Sequence, residues 1–183
     1  TDDLRILDCS YSCSGSSSIL LTSEETAKKF TDEPIWISGI GQKTNSASFT
    51  KNELTTLSSS VIAANDAYKM AKITSQEIDV AEIHDAFSVC ELMAVEDLSL
   101  TEKNTGAEYV RNLFNTEDRK INPRGGLIGA GHPLGATGIS QITEVVQQLQ
   151  NNAKSRQISN AKMGLVHNMS AAATSSSVLV LES

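Results

Sequence analysis

Aromatic side chains make up only 4% of this 183-residue chain, too few for the stacking platforms that hold single-stranded nucleic acid. Basic residues are also outnumbered: 15 Lys and Arg stand against 22 Asp and Glu, a formal net charge of −7. That balance argues against the clustered positive charge needed for non-specific binding to nucleic acid or a membrane surface. No apolar run reaches membrane-spanning length, and the first residues show no basic-then-apolar leader pattern. The three cysteines, Cys9, Cys13 and Cys90, are an odd number without framework spacing. Cys9 and Cys13 lack the second pair that a structural zinc site needs, so no metal site is expected. A reducing cytoplasm is the expected location. Low-complexity segments are absent. The remaining composition, 39% apolar and 20% charged, is that of a globular protein. Its length suits one good core, or one domain plus a fragment of another.

The most informative stretch runs from Ile121 to Gly138. Six glycines fall in the fourteen positions 125–138, and His132 stands just before Pro133. Glycine admits positive φ and close approach of a ligand to the backbone, at an entropic cost. The proline biases His132 to extended geometry and holds its imidazole on a stiff loop. Apolar residues at helical spacing follow from Ile139 to Leu149. A glycine loop feeding a helix N-terminus makes an anion site, because free N–H groups and the dipole face the ligand. The plain alternative is a glycine-rich turn with a solvated histidine; glycine density, His-Pro and the following helix favour a site.

Along the chain, residues 4–8 alternate like a short strand and Ile19-Leu20-Leu21 reads as a buried one. Thr22 to Phe30 reads as a short capped helix, acids first and lysines last. Pro34 to Gly41 predicts a strand ending at glycines, and Gln42 to Thr50 a loop. An apolar stripe from Leu54 to Ala71 predicts a helix capped near Thr50 and ending by Ile73. A strand over 78–83 delivers His84 at its end, and a helix with Val89, Leu92, Met93, Val95 and Leu98 on its apolar face follows. A further short helix is predicted over 106–114, an exposed connector over 116–120, a polar turn-rich stretch over 151–160, and strands over 162–166 and 177–182. This order fits one α/β layer fold. His84 and His132 sit at a strand end and on a glycine loop, where sites gather in α/β folds, although either could be a satisfied structural group. Asp85 reads as a helix N-cap, and Phe87 as core or substrate wall.

Asn122-Pro123-x-Gly125-Gly126, followed by Gly131-His132-Pro133-Leu134-Gly135-Ala136-Thr137-Gly138, resembles the C-terminal signature of the thiolase superfamily, above all its archaeal and sterol-carrier-type branch. His84-Asp85-Ala86-Phe87 resembles that branch's His-Asp-x-Phe motif. The resemblance implies a thiolase-like layered α/β fold: a C-terminal half-domain, residues 31–183, with a mixed five-stranded sheet packed by helices. Residues 1–30 would be the end of the N-terminal domain, with Ser14-Gly15-Ser16-Ser17 where Asp-Gly-Ala-Ala is usual. With one half present, no internal repeat is expected.

The implied activity is that of an acetyl-CoA C-acetyltransferase, condensing two acetyl-CoA to acetoacetyl-CoA or running in reverse. The implied roles are His132 as activator of a nucleophilic cysteine and His84 as an oxyanion-hole group. Gly131, Pro133, Gly135, Phe87, Asn168, Met169 and Ala171 would line the substrate or oxyanion region, with a backbone N–H at about Ala171. No cofactor is implied beyond coenzyme A thioesters as substrate. Expected partners are an N-terminal thiolase half, a homo-oligomeric copy, and a zinc-ribbon/OB-fold protein. The residues after Cys13 lead into a strand, not directly into a helix, so the nucleophile is expected outside these residues. The family's second, acid/base cysteine is missing: its two usual positions hold Met169 and Ala86. Cys90, one helical turn beyond Ala86, is a packed cysteine or a replacement. A retro-aldolase acting on CoA thioesters without a covalent cysteine, and a non-catalytic subunit of a complex, are the alternatives.

Overall fold

The computed structural model describes residues 4–116 and 118–183. In chain order the elements are α1 (Glu24–Ala27), β1 (Trp36–Thr44), α2 (Ser58–Ala71), β2 (Val80–Glu82), α3 (Ser88–Asp97) and α4 (Gly106–Asn115). Then come α5 (Gly126–Ala130), α6 (Thr137–Leu149), β3 (Met163–Met169) and β4 (Ser175–Glu182). The strands form one mixed sheet in the order β1-β4-β3-β2. β1 and β3 both run antiparallel to β4, and β2 runs parallel to β3.

Strand alternation divides the core into two layers. Leu165, Val178 and Val180 face α2 with Ala63, Ala64 and Ala67, and α3 adds Ala94 and Val95 to that side. Val166 and Leu181 face the other way, onto Val145 and Leu149 of α6. Helix, sheet and helix therefore stack as three layers around the sheet.

The sheet has four strands, not the expected five. The chain from Lys120 to Asn122 makes only a single parallel bridge, Ala81 to Ile121, beside β2. Asn122 then turns left-handed at φ 48 and Pro123 follows, which ends the pairing. Residues 4–8 are not a strand: Ile6–Asp8 is a 3-10 turn, closed by the Arg5–Asp8 ion pair. Nor is Ile19-Leu20-Leu21 a buried strand, since Leu20 and Leu21 are 85% and 69% exposed and no strand among the described residues pairs with them. The predicted helix over 22–30 is shorter, α1 followed by a turn.

β1 does not stop at Gly39 and Gly41 but runs through them to Thr44. A side chain at either glycine would collide with the carbonyls of Ala67 or Ala63, so the glycines let α2 press onto the strand. α2 starts at Ser58, not near Thr50, and ends at a left-handed Lys72 with φ 59. The helix after the glycine stretch forms as expected, but the stretch also contains α5, which periodicity did not reveal.

Candidate functional site

β2 hands the chain to His84 through a set of backbone clamps. The Ala81 N–H donates to Lys120 O at 2.7 Å, and the Asn122 N–H donates to Ala81 O at 2.8 Å. The Ile83 N–H donates to the Asn122 side-chain oxygen at 2.8 Å, so the left-handed turn that ends the pairing also grips the strand end. The His84 N–H makes a long bond, 3.4 Å, to Nδ1 of the buried His167 in β3.

Asp85 caps a helix, but not the one expected. α3 begins at Ser88 with Phe87 before it, and no side chain caps it. The Asp85 carboxylate accepts instead from the first turn of α5, from the Leu127 N–H at 2.6 Å and the Ile128 N–H at 3.5 Å. Gly126 sits just before them at φ 62, where any side chain would strike the carboxylate. Burial pushes the Asp85 pKa up while these N–H groups pull it down.

His132 is placed by the N-terminal segment and by α6. Its N–H donates to Tyr11 O at 3.0 Å, and it forms a parallel bridge with Ser12. Gly131 before it is left-handed at φ 89, and a Cβ there would meet the Cys13 sulfur at 2.6 Å. Its Nδ1 lies 2.7 Å from Thr137 Oγ1, whose single proton goes to Pro133 O at 3.1 Å. With that proton on the carbonyl the hydroxyl accepts from the imidazole, an arrangement in which Nδ1 is protonated and the Nε2 lone pair is free.

The two motif histidines meet. Their ring centroids are 5.2 Å apart with the planes at 82°, edge to face. Burial, then the nearness of His132, lowers the His84 pKa to about 4, and burial lowers that of His132. Two neutral imidazoles, one sealed and one half-buried, can take a proton and donate a hydrogen bond at one spot.

The other expected residues spread around this pair. Asn168, the residue after His167, donates from its amide to Gln141 Oε1 at 2.8 Å. Met169 is half-buried and packs on the main core. Ala171 is exposed in a 3-10 turn after β3. Phe87 is partly exposed and bridges Cys9, while Pro133 packs against Gly15. Gly135 is exposed with open space around it and is not drawn into the pair. Cys90 is a half-buried free thiol whose pKa burial raises. Ala86 precedes α3, so it shares no helical face with Cys90; its carbonyl accepts from the Ser10 N–H at 2.8 Å. The motifs contain Thr137 but gave no role to it or to His167; Thr137, at the start of α6, was findable as a hydroxyl one turn after a histidine.

At the end of β2, two residues before His84, Glu82 is fully buried, with Arg124 at 3.8 Å as its cation. Burial outweighs the arginine and pushes Glu82 up to about 8. No group of His, Cys, Asp and Glu among the described residues could hold a metal ion. No helix among them is long and apolar enough to cross a membrane.

Residues 41–183 match the family described as thiolase C-terminal domain-like. The chain is 40% identical over 171 residues to an acetyl-CoA acetyltransferase of Methanothermobacter thermautotrophicus, covering 92% of this chain and 45% of that protein. It is 36% identical over 176 residues to human sterol carrier protein 2, covering 92% and 32%. Among solved structures it is similar to one named "Ltp2-ChsH2(DUF35) aldolase", with TM-score 0.77 and 19% identity over 87% of this chain and 42% of that one. At that identity the likeness concerns the fold alone. The chain spans less than half the length of each of these proteins.

Proposed function

Because the chain belongs to the thiolase C-terminal domain-like family, we propose that it is the C-terminal part of an acetyl-CoA C-acetyltransferase. Residues 1–30 are the tail of the N-terminal half, and the nucleophilic cysteine comes from a part of the protein outside these 183 residues. The observation that carries this reading is the His84–His132 pair, 5.2 Å between centroids and both neutral near pH 7. The names of the relatives support the acyl-transfer class.

In the first half-reaction His132 Nε2 takes the proton of the cysteine thiol as its sulfur attacks the acetyl-CoA carbonyl. The new C–S bond forms, the bond to coenzyme A breaks, and the proton leaves on the coenzyme A thiol. Negative charge gathers on the carbonyl oxygen, where a donor preorganised on a dry site contributes a few kcal/mol. His84 supplies that donor, with Asn168, the Ala171 N–H and the Gly131–Pro133 backbone lining the region; Phe87 and Met169 are apolar walls. In condensation the α-carbon of a second acetyl-CoA gives up a proton and bonds to the acyl carbon, the acyl bond to the cysteine sulfur breaks, and the proton ends on that thiol. The exposed Ile6, Leu7, Leu20, Leu21 and Phe30 are where the N-terminal half and a second copy would pack. A zinc-ribbon/OB-fold partner is part of the same proposal.

The test is His132→Ala in the intact protein, with acyl-enzyme read by intact mass after mixing with acetyl-CoA. The expected result is no acetylated protein; normal acetylation would remove His132 from this role. A second reading, a retro-aldolase on CoA thioesters, is favoured by one observation: neither Ala86 nor Met169 can exchange the α-carbon proton. Under that reading the wild-type protein forms no acyl-enzyme but releases an aldehyde or ketone from a β-hydroxyacyl-CoA.

A further inference from the structure

Behind His84 lies a file of fully buried hydroxyls that the proposed mechanism leaves unused. Ser59 and Ser60 open α2, Ser176 lies in β4, and His167 lies in β3; all four are at most 1% exposed. His167 Nε2 is 2.9 Å from Ser60 Oγ, Ser60 Oγ is 2.9 Å from Ser176 Oγ, and Ser176 Oγ is 2.7 Å from Ser59 Oγ. At one end the Ser59 hydroxyl donates to Ala173 O at 2.6 Å. At the other, His167 Nδ1 accepts from the His84 N–H.

Each serine has one proton, and both ends have fixed polarity. A carbonyl can only accept, so the Ser59 proton is committed to Ala173. Ser176 must then donate to Ser59, Ser60 to Ser176, and His167 Nε2–H to Ser60. That leaves Nδ1 bare, which is what the His84 N–H requires. One arrangement satisfies every group; the other tautomer would set the His84 N–H against a second N–H donor and leave one serine–serine contact without a proton. Burial, reinforced by His84, holds His167 neutral, which the arrangement needs.

We infer that His167, held in one tautomer by Ser60, Ser176 and Ser59, is a positioning residue that sets the His84 backbone and the Ala171–Ala173 turn as one unit. The inference rests on the role given to His84 above. The Ala173 carbonyl belongs to a turn with two consecutive left-handed alanines, Ala172 at φ 55 and Ala173 at φ 49, and the file is one of its anchors. The donor proposed at His84 and the turn that carries the Ala171 N–H thus share a single hydrogen-bond path.

Intact protein labelled with 15N-histidine reads the tautomer directly by long-range ring correlations, with His167→Gln assigning the signal. The expected wild-type spectrum is Nε2–H at neutral pH, shifting toward a tautomer mixture in both Ser60→Ala and Ser176→Ala. Acyl transfer from acetyl-CoA should fall about tenfold to a hundredfold in each single variant, as small misplacements do. KM should change little, and the double variant should be no worse than either single. An Nδ1–H tautomer in the wild type, or an unchanged His167 tautomer in the serine variants, would overturn the inference. Independent losses that multiply in the double variant would overturn it as well. The spectrum needs no turnover, so a wild-type protein without acyl transfer would sink the functional reading and leave the tautomer to decide this one.

Discussion

Asp85 and Leu127 are 42 residues apart in the chain, yet the carboxylate of one accepts the backbone N–H of the other at 2.6 Å. The bond ties the His84 segment to the glycine stretch that carries His132, so the separation of the two rings depends on it. Removing an acceptor from buried N–H groups costs about 1–3 kcal/mol. Asp85→Ala should therefore lower stability by about that amount in urea unfolding, whereas Asp85→Asn, which keeps one acceptor oxygen, should lose less.

Thr137 fixes which nitrogen of His132 is basic. Thr137→Val keeps shape and burial but leaves Nδ1–H without its acceptor and frees the ring to change tautomer. Acyl-enzyme formation should slow by about tenfold or more, in the range attributed to a general base. The urea midpoint of this variant should move much less than that of Asp85→Ala, which separates chemistry from folding.

The buried ionisable groups predict a stability plateau in pH. Glu82 and Glu91 are raised from 4.5 to about 8 and about 7, mainly by burial, so the folded state holds their protons longer than the unfolded state. Their contribution is a loss of stability as pH rises from about 4.5 toward 8. His84 and His167 are lowered from 6.5 to about 4 and about 3, so they cost stability as pH falls below 6.5. Between about 4.5 and 6.5 the two pairs oppose each other, and thermal midpoints should be flat there and fall on both sides. Glu82→Gln should be more stable than wild type at pH 8, with the gain gone by pH 4. A gain of the same size at pH 4 would show that it does not come from the proton held on Glu82.

How much of this could be read from the residues depended on whether the cause was local. His84 and His132 stood out because proline, glycine and a strand end mark them in the chain. Gly39 and Gly41 looked like strand breakers, but they are spaces for α2, a packing partner that no strand pattern displays. Ile19-Leu20-Leu21 looked buried because apolar runs usually are; no strand among the described residues covers it. Asp85 was recognisable as a cap, yet the helix it caps lies in another motif. The tautomer of His167 depends on hydroxyls from α2 and β4, so nothing near residue 167 announces it.

Ala172 sits at φ 55 with its side chain exposed. A left-handed residue with a Cβ costs about 1–2 kcal/mol, and glycine there loses about 0.4–1 kcal/mol through a freer unfolded chain. Ala172→Gly should accordingly raise stability, by up to about 1.5 kcal/mol. Ala172→Val should lower it, both measured by urea unfolding.

The seating of α2 on Gly39 and Gly41 reaches further than the sheet. The same helix carries Ser59 and Ser60 in its first turn, just ahead of the Ala63 carbonyl that rests on Gly41. A methyl group on β1 would act as a shim, lifting those hydroxyls off the imidazole behind His84. The tolerances of the reactive centre are therefore machined partly on a strand that never approaches it, and selection for small residues there would be mistaken for a folding requirement.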